Sequence, residues 1–137
     1  HYAYPRIIKN PEEKIRLNKP ILIAAGYKPG SSTDYDAVVL ARNFKVRILL
    51  NLTNTDYVYD KDPSKNHDAK PVKQMTWKEY RKIAGNKWKP GLNLPFDPVA
   101  AREAEKIKLK VVIMNGKNIK NLSNFLNGKD FKGTVIE

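Results

Sequence analysis

The 137-residue chain contains no cysteine, which excludes disulfide bonds, thiolate catalysis and cysteine-based zinc sites. It has only two histidines, His1 and His67, and neither has a partner at metal-ligand spacing, so no histidine-based metal site is expected. No apolar run approaches the roughly 20 residues needed to cross a bilayer. The first residues show no signal peptide, because no basic start precedes an apolar stretch. These absences fit a cytoplasmic protein without a membrane partner.

Acidic residues are scarce relative to basic ones, 14 against 26, which gives a formal net charge of +12. Such an excess indicates a polyanionic partner, for example a nucleotide, a nucleic acid or an anionic membrane. The alternative is a lysine-rich surface without a specific partner. We favour this alternative because the lysines are scattered and form no long basic block. Lysine also outnumbers arginine, whereas base reading favours arginine, so nucleic acid is not an expected partner.

Helix and strand signals alternate along the chain. Helix starts are predicted at Asn10-Pro11, at Ser32 or Thr33, at Thr76 with Glu79 in a capping box, at Asp97-Pro98 and at Asn118. Apolar runs predict strands at residues 21–25, 46–52, 110–114 and 133–136. Loops are predicted at residues 53–74 and 85–95, and Trp77 and Trp88 are predicted core or interface residues. This order predicts one α/β domain over residues 1–137, three-layered, with a mainly parallel sheet covered by helices on both faces.

The first segment that carries chemistry is the 26–34 loop, which reads G-Y-K-P-G-S-S-T-D between a predicted strand and a predicted helix. A glycine-containing turn there directs backbone N–H groups and a helix N-terminus at an anion, and Ser31, Ser32 and Thr33 add hydroxyl groups. Asp34 would cap the helix or organise a lysine or Mg²⁺. The loop is not a P-loop, because no Gly-Lys-Ser/Thr follows. The alternative is a plain capped turn.

The second segment is the 53–63 loop, which reads T-N-T-D-Y-V-Y-D-K-D-P after the apolar run 46–52. Ligands of α/β proteins bind at the carboxyl ends of parallel strands. Here Tyr59 could flank a base, and Asp62 could accept from ribose hydroxyls or support a metal. The alternative is a loop of Asx turns with purely structural side-chain caps.

These segments, in this order and spacing, resemble the UMP kinase (uridylate kinase) family of the amino acid kinase superfamily. The 26–34 loop resembles its G-x-x-P-G-x-T-T-D acceptor loop, and the 53–63 loop resembles its T-N-V-D-G-V-Y-x-x-D-P ATP loop. Residues 97–101 match its D-P-x-A-A helix start, and residues 133–136 match its G-T-x-I terminal strand. The likeness runs from about Ala3 to the end, with an archaeal-like acceptor loop.

The resemblance implies transfer of the ATP γ-phosphate to UMP in pyrimidine nucleotide biosynthesis, with Mg²⁺ accompanying ATP and no metal held by the protein alone. It implies a catalytic role for Asp34, which would orient a phosphate-binding lysine. The implied ATP contacts are Thr53, Asn54, Tyr59 and Asp62. The implied UMP contacts are Tyr27, Lys28, Pro29, Gly30, Ser31, Ser32 and Thr33.

The chain also departs from the family pattern. Tyr57 stands where the family has glycine, and Tyr27 where it has threonine. A tyrosine at position 57 would be costly if the backbone there needed a positive φ. The family's N-terminal lobe, with its phosphate-binding lysine, has no counterpart in the sequence. We therefore expect the C-terminal, nucleotide-binding part of an amino acid kinase fold, inactive alone and homo-oligomeric (a hexamer, by resemblance), with the lobe truncated or on a separate chain.

Two alternatives stay open at this point. One is another superfamily member, such as a carbamate kinase, an acetylglutamate kinase or an aspartokinase, and the 26–34 loop would decide between them because it recognises the acceptor. The other is a non-catalytic nucleotide-binding or regulatory module.

Overall fold

A computed structural model describes residues 2–85 and 94–137. Within these ranges the element order is α1 (Thr33–Asn43), β1 (Ile48–Thr53), β2 (Val58–Tyr59), β3 (Pro71–Val72), β4 (Gln74–Met75), α2 (Trp77–Ala84), α3 (Pro98–Lys106), β5 (Lys110–Asn115), α4 (Ile119–Leu126) and β6 (Thr134–Ile136). His1, Trp88 and most of the predicted loop 85–95 lie outside the described residues. No helix in the described ranges is long and apolar enough to cross a membrane.

The strands form a four-stranded sheet in the order β1-β5-β6-β4 and a separate ribbon of β2 and β3. The β1–β5 and β4–β6 pairs are parallel, whereas β5 and β6 are antiparallel. The predicted α/β class with a mainly parallel sheet is therefore confirmed. Strand β6 is antiparallel to β5 because the chain reverses direction after α4 and enters the sheet beside β5.

Strand β5 is buried on both of its faces. Val111 and Ile113 belong to the main apolar cluster, together with residues of α1, α2 and α3. Val112 and Met114 point to the opposite face, because side chains alternate along a strand, and they are also fully buried. Both faces of the sheet are thus covered at this strand, as the predicted three-layer architecture requires.

The core packs around small residues of α3 and aromatic residues of α2. Ala100 and Ala104 are fully buried, and their small side chains let neighbouring elements approach α3 closely. Trp77 is buried, donates its indole N–H to the Leu109 carbonyl at 3.0 Å, and lies 6.0 Å from the Phe96 ring centroid. The prediction of Trp77 as a core residue is confirmed.

The predicted helix caps are confirmed for all four helices of the described ranges. The capping side chains accept hydrogen bonds from the first turn at Ser32, Thr76, Asp97 and Asn118, and Thr76 and Glu79 form the complete capping box. These starts were predictable because a cap satisfies backbone donors only two or three residues away.

The helix predicted from Asn10 is wrong. Asn10 Oδ1 accepts from the Glu12 N–H at 3.0 Å, which forms a single turn, and residues 13–18 beyond it have no helix or strand. Parallel bridges join Ala3 to Ile21 and Ile8 to Ala24, so the strand predicted at residues 21–25 is present only as isolated bridges. A cap signal without an apolar helical face does not form a helix, because packing of that face supplies most helical stability.

Candidate functional site

The 26–34 loop is held by a buried carboxylate of α1. Asp36 is 4% exposed. Its Oδ2 accepts from the Tyr27 backbone N–H at 2.9 Å, and its Oδ1 accepts from the Ser31 hydroxyl at 2.6 Å. Between these points the Ser31 N–H donates to the Lys28 carbonyl at 3.1 Å, and Gly30 has a φ of +83°. Asp36 was not among the predicted site residues, because no local sequence pattern marks it.

The residues predicted to contact UMP differ in how free they are to bind a ligand. Those exposed to solvent are Tyr27, Lys28, Pro29, Gly30 and Thr33. Ser31 and Ser32 are half-buried, and both hydroxyls already make internal hydrogen bonds, since Ser32 Oγ accepts from the Tyr35 N–H. The Lys28 ammonium lies 5.1 Å from the Tyr27 ring centroid, within the range of a cation–π contact.

Asp34, the predicted catalytic residue, lies where α1 meets the start of α3. Its Oδ2 accepts from the Asp97 backbone N–H at 2.8 Å. Partial burial raises the pKa of the Asp34 carboxyl, the Asp97 charge adds to this rise, and the hydrogen bond from the Asp97 N–H opposes it. The Oδ1 atom makes no hydrogen bond to any described residue, so it is available to a cationic group.

Residues 95–97 are hydrogen-bonded from three different elements. Asn51 of β1 donates its side-chain amide to the Pro95 carbonyl at 2.6 Å. The buried Tyr80 hydroxyl of α2 donates to the Phe96 carbonyl at 2.5 Å and accepts from the Phe96 N–H at 3.0 Å. The bond to Asp34 described above comes from α1. This short segment, which we call the junction, therefore ties α1, α2 and β1 to the start of α3.

The 53–63 loop starts at the carboxyl end of β1, as predicted. The Thr53 carbonyl accepts from the Gly116 N–H at 2.8 Å, and the Thr53 hydroxyl lies 3.3 Å from Asn54 Oδ1. Thr53 is half-buried and Asn54 is exposed. Glycine suits position 116, because a Cβ there would lie at a tight 3.0 Å from the Leu52 Cβ. The ends of the two parallel strands are thus joined directly beneath Thr53 and Asn54.

The middle of this loop is attached to the sheet by one buried hydroxyl. Thr134 of β6 is fully buried. Its Oγ1 accepts from the Val58 N–H at 2.8 Å and donates to the Val72 carbonyl at 2.5 Å. Val58 and Val72 face each other across the β2–β3 ribbon, so Thr134 holds both of its strands. Tyr59 follows Val58 in the ribbon and is half-buried.

Asp62 stands in an exposed turn of its own. Its Oδ1 accepts from the Ser64 backbone N–H at 2.9 Å and from the Ser64 hydroxyl at 2.7 Å, while Lys65 Nζ lies 3.8 Å from Oδ2. These contacts, the Ser64 bonds first, lower the pKa of the Asp62 carboxyl. Asp62 is therefore ionised at neutral pH, and its Oδ2 is the less engaged oxygen.

Tyr57 needs no unusual backbone conformation. The non-glycine residues with positive φ among the described residues are Lys45 and Lys108, so the condition under which a tyrosine at position 57 would be costly is not met. The Thr55 hydroxyl donates to the Tyr57 carbonyl at 3.1 Å and supports the local turn.

The two loops meet only through intermediate residues. Within the described ranges no hydrogen bond joins them directly, and both are tied to the junction, the 26–34 loop by Asp34 and β1 by Asn51. Asn51 was detectable as a polar residue inside the apolar run 46–52. Tyr80 and Thr134 gave no signal of their roles, because their partners lie far away in sequence.

The described residues contain no group of three or more His, Asp or Glu side chains that could hold a metal ion.

Comparison with known protein families gives one match over most of the chain. The family model described as "Amino acid kinase family" matches residues 6–115. Among curated proteins, the uridylate kinase of Sulfurisphaera tokodaii is 33% identical over 98% of this chain and 61% of its own length. That of Methanobrevibacter smithii is 34% identical over 98% of this chain and 61% of its own length. The chain thus spans about three fifths of these relatives.

Solved structures show the same architecture. The uridylate kinase from Archaeoglobus fulgidus superimposes with a TM-score of 0.82 at 26% identity, covering 99% of this chain and 62% of that one. The UMP kinase from Bacillus anthracis has a TM-score of 0.70 at 21% identity, covering 85% and 45%. The second likeness shows the shared fold alone.

Proposed function

This chain belongs to the amino acid kinase family, and from that premise we propose that it is the nucleotide-binding, C-terminal part of a UMP kinase. The whole enzyme would transfer the γ-phosphate of ATP to UMP and give ADP and UDP. The observation that carries the proposal is the junction, which anchors the 26–34 loop and the strand leading into the 53–63 loop on the same three residues. The curated relatives named uridylate kinase indicate the acceptor.

On the ATP side, we assign contacts to Thr53, Asn54, Tyr59 and Asp62. The half-buried Tyr59 ring offers a surface against which a base can pack. The ionised Asp62 can accept hydrogen bonds from ribose hydroxyls through Oδ2, since Oδ1 is occupied by Ser64. The assignment is supported by their place at the carboxyl end of β1, where α/β proteins bind their ligands.

On the UMP side, we assign contacts to the 26–34 loop and to the start of α1. Unpaired N–H groups and the helix dipole at an N-terminus favour a phosphate group. Lys28 adds a positive charge beside Tyr27. This assignment covers Tyr27, Lys28, Pro29, Gly30, Ser31, Ser32 and Thr33.

Phosphoryl transfer needs little covalent chemistry from a protein, because positioning and charge neutralisation carry most of the catalysis. We assign Asp34 the role of orienting a cationic group through its unbonded Oδ1, and an ion pair there would lower the carboxyl pKa that burial raises. Mg²⁺ would arrive with ATP and neutralise its phosphates. A few protein oxygen donors suffice for such an ion, because Mg²⁺ in kinases keeps waters and phosphate ligands.

The isolated chain is proposed to bind nucleotide without turning it over, since it spans 61% of the relatives' length and the lysine that Asp34 would orient is not assigned within it. The whole protein is proposed to be a cytoplasmic homo-oligomer of pyrimidine nucleotide biosynthesis. UDP formation by the purified 137-residue chain would contradict the predicted inactivity.

Calorimetric titration of Mg²⁺-ATP and of UMP into the chain tests the proposal. We expect ATP binding that is lost in Tyr59→Ala and in Asp62→Ala. Asp68→Ala is the matched control, because Asp68 is an exposed acid of the same region whose one ion pair with a described residue is to Lys61, and it is expected to bind ATP like the wild type. A chain that is folded by circular dichroism and binds no ATP would overturn the assignment of the ATP site.

A further inference from the structure

We propose that Asp36 is a positioning residue that fixes the 26–34 loop in the shape that receives the phosphate of the acceptor. What the loop binds rests on the proposed function, whereas the positioning role rests on the geometry. The two carboxylate oxygens of Asp36 bond to opposite ends of the loop, one to the Tyr27 N–H and the other to the Ser31 hydroxyl. One rigid helical side chain thus sets the distance between residues 27 and 31.

The Asp36 carboxylate can be buried because it accepts the hydrogen bonds from Tyr27 and Ser31. A carboxylate at 4% exposure is costly unless it is hydrogen-bonded or paired with a cation. Among the described residues no salt bridge involves Asp36, and its neighbours Val38 and Val39 on α1 are buried and apolar. The two loop donors and the nearby N-terminus of α1 therefore supply its stabilisation, so the loop and the carboxylate depend on each other.

The same bonds decide which donors remain for a ligand. Because Asp36 takes the Tyr27 N–H and the Ser31 hydroxyl proton, neither can be donated to a phosphate, and the hydroxyl contact of Ser31 with UMP would be made by its oxygen as an acceptor. The backbone N–H groups of Lys28, Gly30 and Ser32 make no hydrogen bond to any described residue, and Lys28 and Gly30 are exposed. Exposed backbone N–H groups that have no internal partner remain able to donate hydrogen bonds to an anion. Asp36 would thus act on the acceptor only through the peptide groups that it leaves free.

Three variants separate this role from general support of the fold. Asp36→Ala removes both bonds. Asp36→Asn removes the charge and can keep both bonds, since its amide oxygen can accept from Tyr27 and its NH₂ can donate to the Ser31 oxygen. Ser31→Ala removes one bond, and Ser64→Ala is its matched control, because Ser64 makes a similar serine–aspartate bond in the other loop.

The readouts are calorimetric affinities for UMP and Mg²⁺-ATP and hydrogen exchange of the Tyr27 amide. We expect Asp36→Ala to weaken UMP binding about ten-fold or more, the usual size of losing a hydrogen bond to a charged group. It should also lower the protection of the Tyr27 amide and leave ATP affinity unchanged. Asp36→Asn should restore UMP binding and amide protection, Ser31→Ala should show a smaller loss, and Ser64→Ala should show no loss of UMP affinity.

Several outcomes would overturn the proposal. Unchanged UMP affinity in a folded Asp36→Ala would do so, and so would an equal loss of ATP and UMP affinity, which would mean that Asp36 only supports the fold. If Asp36→Ala does not fold, Ser31→Ala decides: a loss of UMP affinity together with lower Tyr27 amide protection supports the positioning role, whereas a loss of affinity with unchanged protection would mean that Ser31 acts only by direct contact and would overturn it. If the wild-type chain binds no UMP, the acceptor assignment of the proposed function fails, and Tyr27 amide exchange alone decides the positioning role.

Discussion

The two candidate loops are held in shape by different hydrogen bonds, to the interior in one loop and within the loop itself in the other. The 26–34 loop takes its shape from the interior, because both ends bond to the buried carboxylate of Asp36. The last part of the 53–63 loop takes its shape from itself, since the exposed Asp62 bonds to its own neighbour Ser64. Interior support couples a loop to the folding of the domain, whereas local support leaves it free to adapt to a ligand.

The middle of the 53–63 loop combines both kinds of support. Val58 is buried and bonded to Thr134 of β6, whereas the adjacent Tyr59 is half-buried and able to meet a ligand. The attachment therefore sits one residue from the side chain that we assign to the base. Variants that remove interior support should cost more stability than variants that act within a turn.

The largest expected effect is that of Thr134→Val, which keeps the side-chain shape and removes the hydroxyl. It leaves the Val58 N–H and the Val72 carbonyl without their partner, and we expect a loss of about 2–3 kcal/mol in the free energy of unfolding, since unsatisfied buried groups cost this much. Urea denaturation measures the loss. Thr134→Ser retains the hydroxyl and should lose much less, and a loss in Thr134→Val no larger than that in Thr134→Ser would show that the hydroxyl bonds contribute no more than the methyl group.

A smaller effect is expected from Gly30→Ala in the 26–34 loop. Gly30 has a φ of +83°, and an L-residue with a side chain pays about 1 kcal/mol in that region. Gly26→Ala is the matched control, because its Cβ would meet only Thr33 at an ordinary 4.0 Å and its φ is not positive. The free energies of unfolding of the two variants, obtained from thermal denaturation, should differ by about 1 kcal/mol. If Gly30→Ala were as stable as Gly26→Ala, the turn would relax at no cost in free energy.

The smallest expected effect is a pH dependence that Asp34→Asn removes. The Asp34 pKa is raised above its ordinary value near 3.8, so the folded state holds this proton more tightly. Its contribution to stability is full below that value and is lost as the pH rises through the raised pKa. Asparagine keeps an oxygen for the Asp97 N–H and carries no charge. The melting temperature of Asp34→Asn relative to the wild type should therefore increase between pH 3 and pH 7, and a relative decrease would reverse the assigned direction of the pKa shift.

The elements that the sequence predicted well are those whose signals are local. Ser32, Thr76, Asp97 and Asn118 cap helices by bonding within three residues, and such bonds can be read from spacing. The failed helix at Asn10 shows the limit, because a cap alone does not reveal whether an apolar face follows.

The long-range hydrogen bonds that hold the candidate site in place could not be predicted from local spacing. Thr134 contacts Val58, 76 positions away, and Tyr80 bonds to Phe96 across 16 positions. Only the fold brings such pairs together. Asp36 illustrates a second limit, since its position beside Asp34 reads as an ordinary acid in the first turn of a helix. Spacing does not show that its side chain faces the interior.

The order of strands has a consequence for how the chain acquires its structure during synthesis. Strand β6 lies inside the sheet, and Val135 bridges Val112 of β5 and Gln74 of β4. A ribosome releases residue 74 long before residue 135, so β4 and the ribbon held by Thr134 stay without their partner until the last strand emerges. Pairings this distant in sequence raise the contact order and slow folding. The nascent chain would therefore hold an open sheet edge while the residues between β4 and β6 are synthesised, exposed to chaperones or to pairing with another chain.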